Sequence, residues 1–323
     1  MTDQTQLTDK KIICLGEALI DRLGTIGSDP LIDPAAEDYF GGAPANVACA
    51  LSKLGVNVSF LGRLGDDEIG KNFSNLMSAN GVDIKGLQID PLRPSRVVLV
   101  KRNIKGDRSF HGFIDDRGMG FADQALQIND LKNIWPAISD GTKWLVVGTI
   151  PLAYKLSSES LLWAIDSAYQ SGIKIVLDIN WRPTFWNPNA SSKAGPNAMN
   201  LASIKPIFRY ISLLKLAKEE ALWFFNTDDP AKISLSLGQN PDVVITNGGE
   251  TIHWYIKGLL GETLPTGDVD VVDTTGAGDA FIAGLLYQYL LKDISNENSY
   301  GIDNMIRFAS ICGLLVCKRE GAI

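Results

Sequence analysis

Short apolar runs alternate with longer helical patterns along almost the whole of this 323-residue chain, and that alternation limits the folds open to it. The runs at 11–16, 56–61, 144–147, 173–178 and 243–246 read as strands. After Pro44, which suits a first helical turn, Ala45, Ala48, Leu51 and Leu54 keep a helical spacing up to Gly55. Residues 68–80, stopped by Gly81, and residues 158–169, 218–225, 277–291 and 303–316 are further helices. Such an order predicts a mainly parallel sheet with helices on both faces, whose ligands bind beyond the carboxyl ends of the strands. Two segments break the pattern. Residues 18–40 leave the first strand and return only at Gly41-Gly42, and residues 96–113 hold two β-rich runs around the hairpin signal Lys105-Gly106-Asp107. On residues alone these form an inserted sheet. Residues 191–200, rich in Pro, Gly, Ser and Asn, read as a mobile loop, and no internal repeat is visible.

The segment Val-Asp-Thr-Thr-Gly-Ala-Gly-Asp-Ala-Phe, residues 272–281, carries the chemistry. Val269, Val271 and Val272 read as the end of a strand, Gly276 and Gly278 as a turn, and the residues from Ala280 onward as an apolar helix. The amides of Gly276, Ala277 and Gly278 would then sit at a helix N-terminus, where free N–H groups and the dipole favour an anion. Asp279 lies in the same turn. Amides for a phosphoryl group beside a base for a hydroxyl are the minimum equipment for phosphoryl transfer to an alcohol. An Asp that merely stabilises a helix start would leave both glycines unexplained. Elsewhere, Gly41 and Gly42 permit close approach to a ligand. Asn46, facing outward one turn into its helix, offers a donor and an acceptor suited to a polyol.

Residues 272–281 resemble the C-terminal signature of the ribokinase-like (PfkB) sugar kinases, and Phe40-Gly41-Gly42-Ala43-Pro44-Ala45-Asn46-Val47-Ala48 is similar to the N-terminal one. The pair stands in the family's order, over two hundred residues apart. The resemblance implies one ribokinase-like αβα sandwich over residues 11–323, with residues 18–40 and 96–113 as a β-sheet lid over the sugar and residues 1–10 as a flexible start. It implies that Asp21, Gly41, Gly42 and Asn46 hold sugar hydroxyls. Asp178-Ile179-Asn180-Trp181-Arg182 is similar to the Asp-x-Asn-x-Arg pattern of fructokinase-type members, which implies Arg182 on the sugar or a phosphoryl oxygen and Asn180 on the nucleotide side. Thr246-Asn247-Gly248-Gly249 resembles the nucleotide loop, although on residues alone it also reads as a plain turn between strands. Lys218-Glu219-Glu220 resembles a metal-and-phosphate motif with Glu220 reaching Mg²⁺ through water, except that Ala217 replaces the usual Asn or Ser. Asp273, Thr275, Val316, Arg319 and Gly321 match positions whose carbonyls bind a monovalent cation such as K⁺ in relatives, and the chain's end at Ile323 puts the last ligand in doubt.

The expected reaction is ATP-dependent phosphorylation of a sugar, with fructose to fructose 6-phosphate favoured. Ribose and 2-keto-3-deoxygluconate remain open, as does a catalytically silent relative that binds a sugar or nucleotide. Net charge −7 disfavours nucleic acid. No signal peptide or membrane-length run is visible, which makes the cytoplasm the default. A homodimer through the lid is allowed. Gly65-Asp66-Asp67-Glu68-Ile69-Gly70-Lys71-Asn72 nearly spells a phosphate loop, but it ends in Asn and carries three acids. Cys14, Cys49, Cys312 and Cys317 lack metal or redox spacing and read as buried thiols. His253 reads as packing or surface, and His111 stands beside the lid as a lesser substrate candidate.

Overall fold

The computed structural model describes residues 10–102, 108–265, 267, 270–292 and 294–323. The hairpin tip at 105–107 and Val269 therefore lie outside the described residues. The main sheet contains β1 (Lys11–Leu15), β4 (Asn57–Gly65), β5 (Leu87–Asp90), β8 (Thr142–Val147), β9 (Lys174–Asp178), β10 (Leu213–Ala217), β11 (Asp242–Thr246), β12 (Ile252–Ile256) and β13 (Leu259–Thr263). They lie in the order β13-β12-β11-β10-β9-β8-β1-β4-β5. Pairing is parallel from β5 to β11 and antiparallel only where β12 and β13 fold back. A smaller sheet, ordered β3-β2-β6-β7, contains β2 (Leu19–Leu23), β3 (Glu37–Gly41), β6 (Val97–Arg102) and β7 (Arg108–Phe113). It is built from the two segments that broke the alternation.

The central strands are apolar throughout because both of their faces are buried. In β1, Ile12 and Cys14 join one core while Ile13 and Leu15 join the other. The first core is closed by α1 (Ala43–Lys53), α2 (Glu68–Ala79), α9 (Ala277–Leu291) and α10 (Ser299–Val316), through side chains such as Leu51, Phe73, Leu285 and Ile306. The second is closed by α3 (Ile128–Ser139), α4 (Lys155–Gln170), α6 (Ala198–Ile204), α7 (Lys218–Phe225) and α8 (Pro230–Ser236), through Leu131, Leu161, Ile204, Phe224 and Ile233. A short α5 (Pro183–Trp186) follows β9.

Three expectations are corrected. Val271 and Val272 are exposed and belong to no strand; the Val272 N–H donates to Cys317 O at 2.8 Å, so a loop bond to the end of α10 takes the place of a ladder. The loop expected at 191–200 ends at Asn197, because Asn197 and Asn200 cap each other's backbone N–H (2.9 Å each) and start α6. Cys312 is only half-buried, while the other three thiols are buried and all four are free. The rejected phosphate loop has a structural use. Asp67 N-caps α2 by accepting from Gly70 N–H (2.8 Å), and it also accepts from the N–H and hydroxyl of Ser95 (2.7 and 2.8 Å). Among the described residues no helix is long and apolar enough to cross a membrane.

Candidate active site

A cavity of about 480 Å³ opens where the carboxyl ends of β1, β9 and β10 meet the first turns of α1 and α9. Leu19, Asp21, Val98, Val100, Ser109 and Phe110 of the small sheet form its opposite wall. The floor is polar.

Gly276 caps α9 in the left-handed region, φ 78°, and a Cβ there would stand 2.5 Å from Ala322 Cβ. The Ala277 N–H, expected to face an anion, donates instead across the turn to Thr274 O (3.2 Å). Helix bonding begins with Ala280 N–H to Gly276 O (2.9 Å), so helix geometry leaves the Gly278 and Asp279 amides at the open end. A Cβ on Gly278 would lie 3.0 Å from Lys215 Nζ. Glycine there lets a lysine reach the anion turn.

Asp279 accepts a 2.7 Å hydrogen bond from Asn46 Nδ2. Burial pushes its carboxyl up to about 6; Asp178 pushes the same way, against Asn46, Lys215 and Arg182. That range suits a general base working near neutrality. Lys215 comes from the middle of β10, is 7% exposed, and holds Asp178 at 3.2 Å. Burial disfavours its charge, but Asp178, Glu220 and Asp279 together raise it above the ordinary lysine value. Glu220, buried on α7, accepts the Trp181 N–H (2.6 Å) and the Ala217 N–H (2.7 Å), so the chain at Ala217 caps its helix through the backbone alone. Its carboxyl is raised, first by burial and then by Asp178.

The structure gathers Asp21, Gly42, Asn46, Asn180, Arg182, Glu220, Thr275, Gly276, Gly278 and Asp279 around the cavity. Asn46, expected to face outward, is buried at 5% exposure and aimed at Asp279. Gly42 (φ 102°) must be glycine, since a Cβ would meet Glu17 O at 2.5 Å; at Gly41 it would meet Asp21 Oδ2 at 2.7 Å. Asn180 takes a left-handed conformation, φ 41°, just past β9. Arg182 N-caps α5 and donates to its neighbour's Trp181 O (3.1 Å). Thr246, Asn247, Gly248 and Gly249 do not line this cavity. Thr246 ends β11, and Asn247, Gly248 and Gly249 form the exposed turn that leads into antiparallel β12, with Glu250 N–H on Asn247 O (2.9 Å). The segments holding Asp273, Thr275, Val316, Arg319 and Gly321 are brought together, with Asp273 accepting from Thr275 N–H (3.0 Å) and Gly321 N–H (2.9 Å). His111 faces Asp29 at 3.4 Å on β7 and does not line the cavity. Sequence reasoning missed Lys215, Glu17 and the site role of Asp178. The available signal for the first was a charge inside Leu213-Leu214-Lys215-Leu216.

A carboxylate poised to take a proton, a buried cation and helix amides around one cavity can bind a hydroxyl and a phosphoryl group face to face. A family model for the pfkB family of carbohydrate kinases matches residues 9–323. A probable fructokinase-6, chloroplastic, of Arabidopsis thaliana is 31% identical, covering 97% of this chain and 78% of its own. Fructokinase from Xylella fastidiosa with bound ATP superposes with a TM-score of 0.78 at 26% identity, covering 97% of this chain and 93% of its own. Fructokinase from Vibrio cholerae O395, in a form with fructose, ADP and calcium ion bound, gives 0.77 at 26% identity, covering 98% and 95%.

Proposed function

We propose, from the premise that this chain belongs to the pfkB family of carbohydrate kinases, that it transfers the γ-phosphoryl group of ATP to fructose, giving fructose 6-phosphate. The observation that carries the reading is Asp279, hydrogen-bonded by Asn46 and in the field of the Lys215 ammonium, in a cavity beside an open helix N-terminus. Asp279 takes the proton of the attacking hydroxyl, a contribution of about 10²–10⁴ in rate. The Gly278 and Asp279 amides and the Lys215 ammonium stabilise charge on the transferring group; one such donor is worth about 10²–10³. Asp21, Asn46 and Arg182, with the backbone at Gly41 and Gly42, position a neutral polyol. Asp21 would repel a substrate carboxylate brought against this set. The small sheet acts as a lid whose closure excludes water as a competing acceptor.

The carboxylates suit a hydrated Mg²⁺. Among the described residues no group of three or more His, Cys, Asp or Glu could hold a metal directly, and both Glu220 oxygens already accept amides. Glu220 and Asp178 would hold the ion through water, and its charge would neutralise the β- and γ-oxygens of ATP. K⁺ would take backbone carbonyls from Asp273, Thr275, Val316, Arg319 and Gly321. Thr246 to Gly249 and Asn180 would approach the nucleotide. A homodimer through the small sheet would cover Ile26, Leu31 and Ile32, which are exposed in the loop between β2 and β3. The cytoplasm is the compartment this reading assigns.

ADP release across a panel of sugars tests the function. Fructose is expected to give a higher kcat/KM than ribose or 2-keto-3-deoxygluconate, and Asp279→Asn to lower turnover by about 10²–10⁴ while nucleotide affinity moves no more than about threefold. A better acid or pentose substrate overturns the sugar assignment. No ADP release with any sugar overturns the kinase.

A further inference from the structure

Glu17 and Asn46 each bring to the cavity a buried oxygen that nothing in the protein satisfies. Glu17 stands two residues past β1 and is 3% exposed. Its Oε1 accepts the Ala43 N–H at the start of α1 (3.1 Å), while Oε2 has no partner. Asn46, on the same helix, donates Nδ2 to Asp279 Oδ2. A carboxylate only accepts, so the NH₂ end of the amide must face Asp279 and Oδ1 must point away from it. That Oδ1 is also buried without a donor. A third cavity oxygen without a hydrogen bond, Asp178 Oδ1, has the Lys215 ammonium at 3.2 Å. Orphaned buried polar atoms are rare in folded proteins, and the two left with neither kind of partner mark a place prepared for a ligand group.

We propose, resting on the sugar-kinase reading above, that Glu17 and Asn46 form a donor–acceptor pair for one hydroxyl of a neutral sugar, Glu17 donating from its carboxylic acid form and Asn46 Oδ1 accepting. A hydroxyl is one donor and an acceptor at the same atom, so the pair reads it fully. A carboxylate at that position could not donate to Asn46, and an ether oxygen would leave Oδ1 bare. The pair thus selects both against charge and for a free hydroxyl. Glu17 becomes a residue that sets specificity.

The surroundings keep the acid protonated. Burial pushes Glu17 up to about 8; Asp123 and Asp279 add to this, while its own backbone amide and that of Ala43 oppose it. The other charged groups lining the cavity are Asp21 on β2, Asp178 on β9, Arg182 at the start of α5, Lys215 on β10 and Glu220 on α7. Below about pH 8 the donor is present; above it the proton is lost and a buried carboxylate faces the sugar.

The test is calorimetric binding of fructose without nucleotide at about pH 7 and about pH 9.5, with folding checked by thermal melting at each. The parent is expected to weaken by about tenfold or more between the two. Glu17→Gln, whose amide donates at any pH, is expected to show a ratio near one. Among 1-, 3- and 4-deoxyfructose, the analogue lacking the paired hydroxyl is expected to bind the parent without pH dependence. A merely structural Glu17 would move the melting temperature and leave these ratios alone. A parent ratio within about twofold, or an unchanged ratio in Glu17→Gln, overturns the pair. ADP release with flat binding sinks the pair alone, pH-dependent binding without ADP release sinks the kinase reading alone, and no binding of any neutral sugar sinks both.

Discussion

Lys215 stands on a strand where Leu213, Leu214 and Leu216 are all buried, and its charge survives because three carboxylates surround it. Lys215→Met removes that charge at similar length. As the proposed base Asp279 would have to be ionised, so kcat/KM is expected to be present above its pKa and to fall as pH drops through about 6. Lys215 favours the ionised form, so in Lys215→Met the acid limb of the kcat/KM profile should move to higher pH, with turnover down about 10²–10³. Three buried carboxylates left without their cation should also cost roughly 3–5 kcal/mol of stability, read by denaturant titration. A limb that stays near 6 removes Lys215 from the base's environment. Much of the site was legible at this scale. Asp279, Gly276, Gly278, Asn46 and Gly42 announce themselves by residue type in a turn. Lys215 and Glu17 do not, because their meaning lies in a low-dielectric neighbourhood built from α1, β9, β10 and α9, which no local pattern displays.

The segment after α10 ties two elements together. Arg102 of β6 meets Glu320 at 3.0 Å, the Tyr39 hydroxyl of β3 donates to Glu320 at 2.5 Å, and Gly321 N–H reaches Asp273 beneath the anion turn. The small sheet and the turn before α9 therefore share one clasp. Exposed ion pairs add little to stability, about 0–1 kcal/mol, so Glu320→Ala should barely move the melting temperature. Its effect should appear in coupling: ADP released without sugar, relative to transfer, is expected to rise about two- to fivefold as the lid loosens. An unchanged ratio would show that the clasp does not govern closure. Elements buried on both faces, such as β1, β8, β9 and β11, were readable from continuous apolar runs. β10 was hidden by its lysine and β5 by its polar residues. The stretch at 271–272 misled because valine's preference for strands is realised only beside a partner strand, and here the neighbour is the end of a helix.

At the scale of the molecule, the sheet separates two cores, and the residues that line the cavity come from positions as distant as Glu17 and Asp279. Strand order follows from parallel crossovers, so the class of fold was within reach of the pattern alone. The meeting of Asn46 with Asp279 was not, because it depends on α1 and α9 packing side by side on one face. The segment after α10 secures the turn before α9. Gly276 lies against Ala322, and Asp273 is held by Gly321. A chain stopped after Val316 should still build both sheets, judged by circular dichroism, yet turn over at no more than about one-hundredth of the parent rate. Wild-type activity in that fragment would show that the clamp is dispensable. On the ribosome the consequence is one of timing: Gly276 to Asp279 are translated ahead of Gly321 and Ala322, so the turn stays unclamped until those two residues have cleared the exit tunnel.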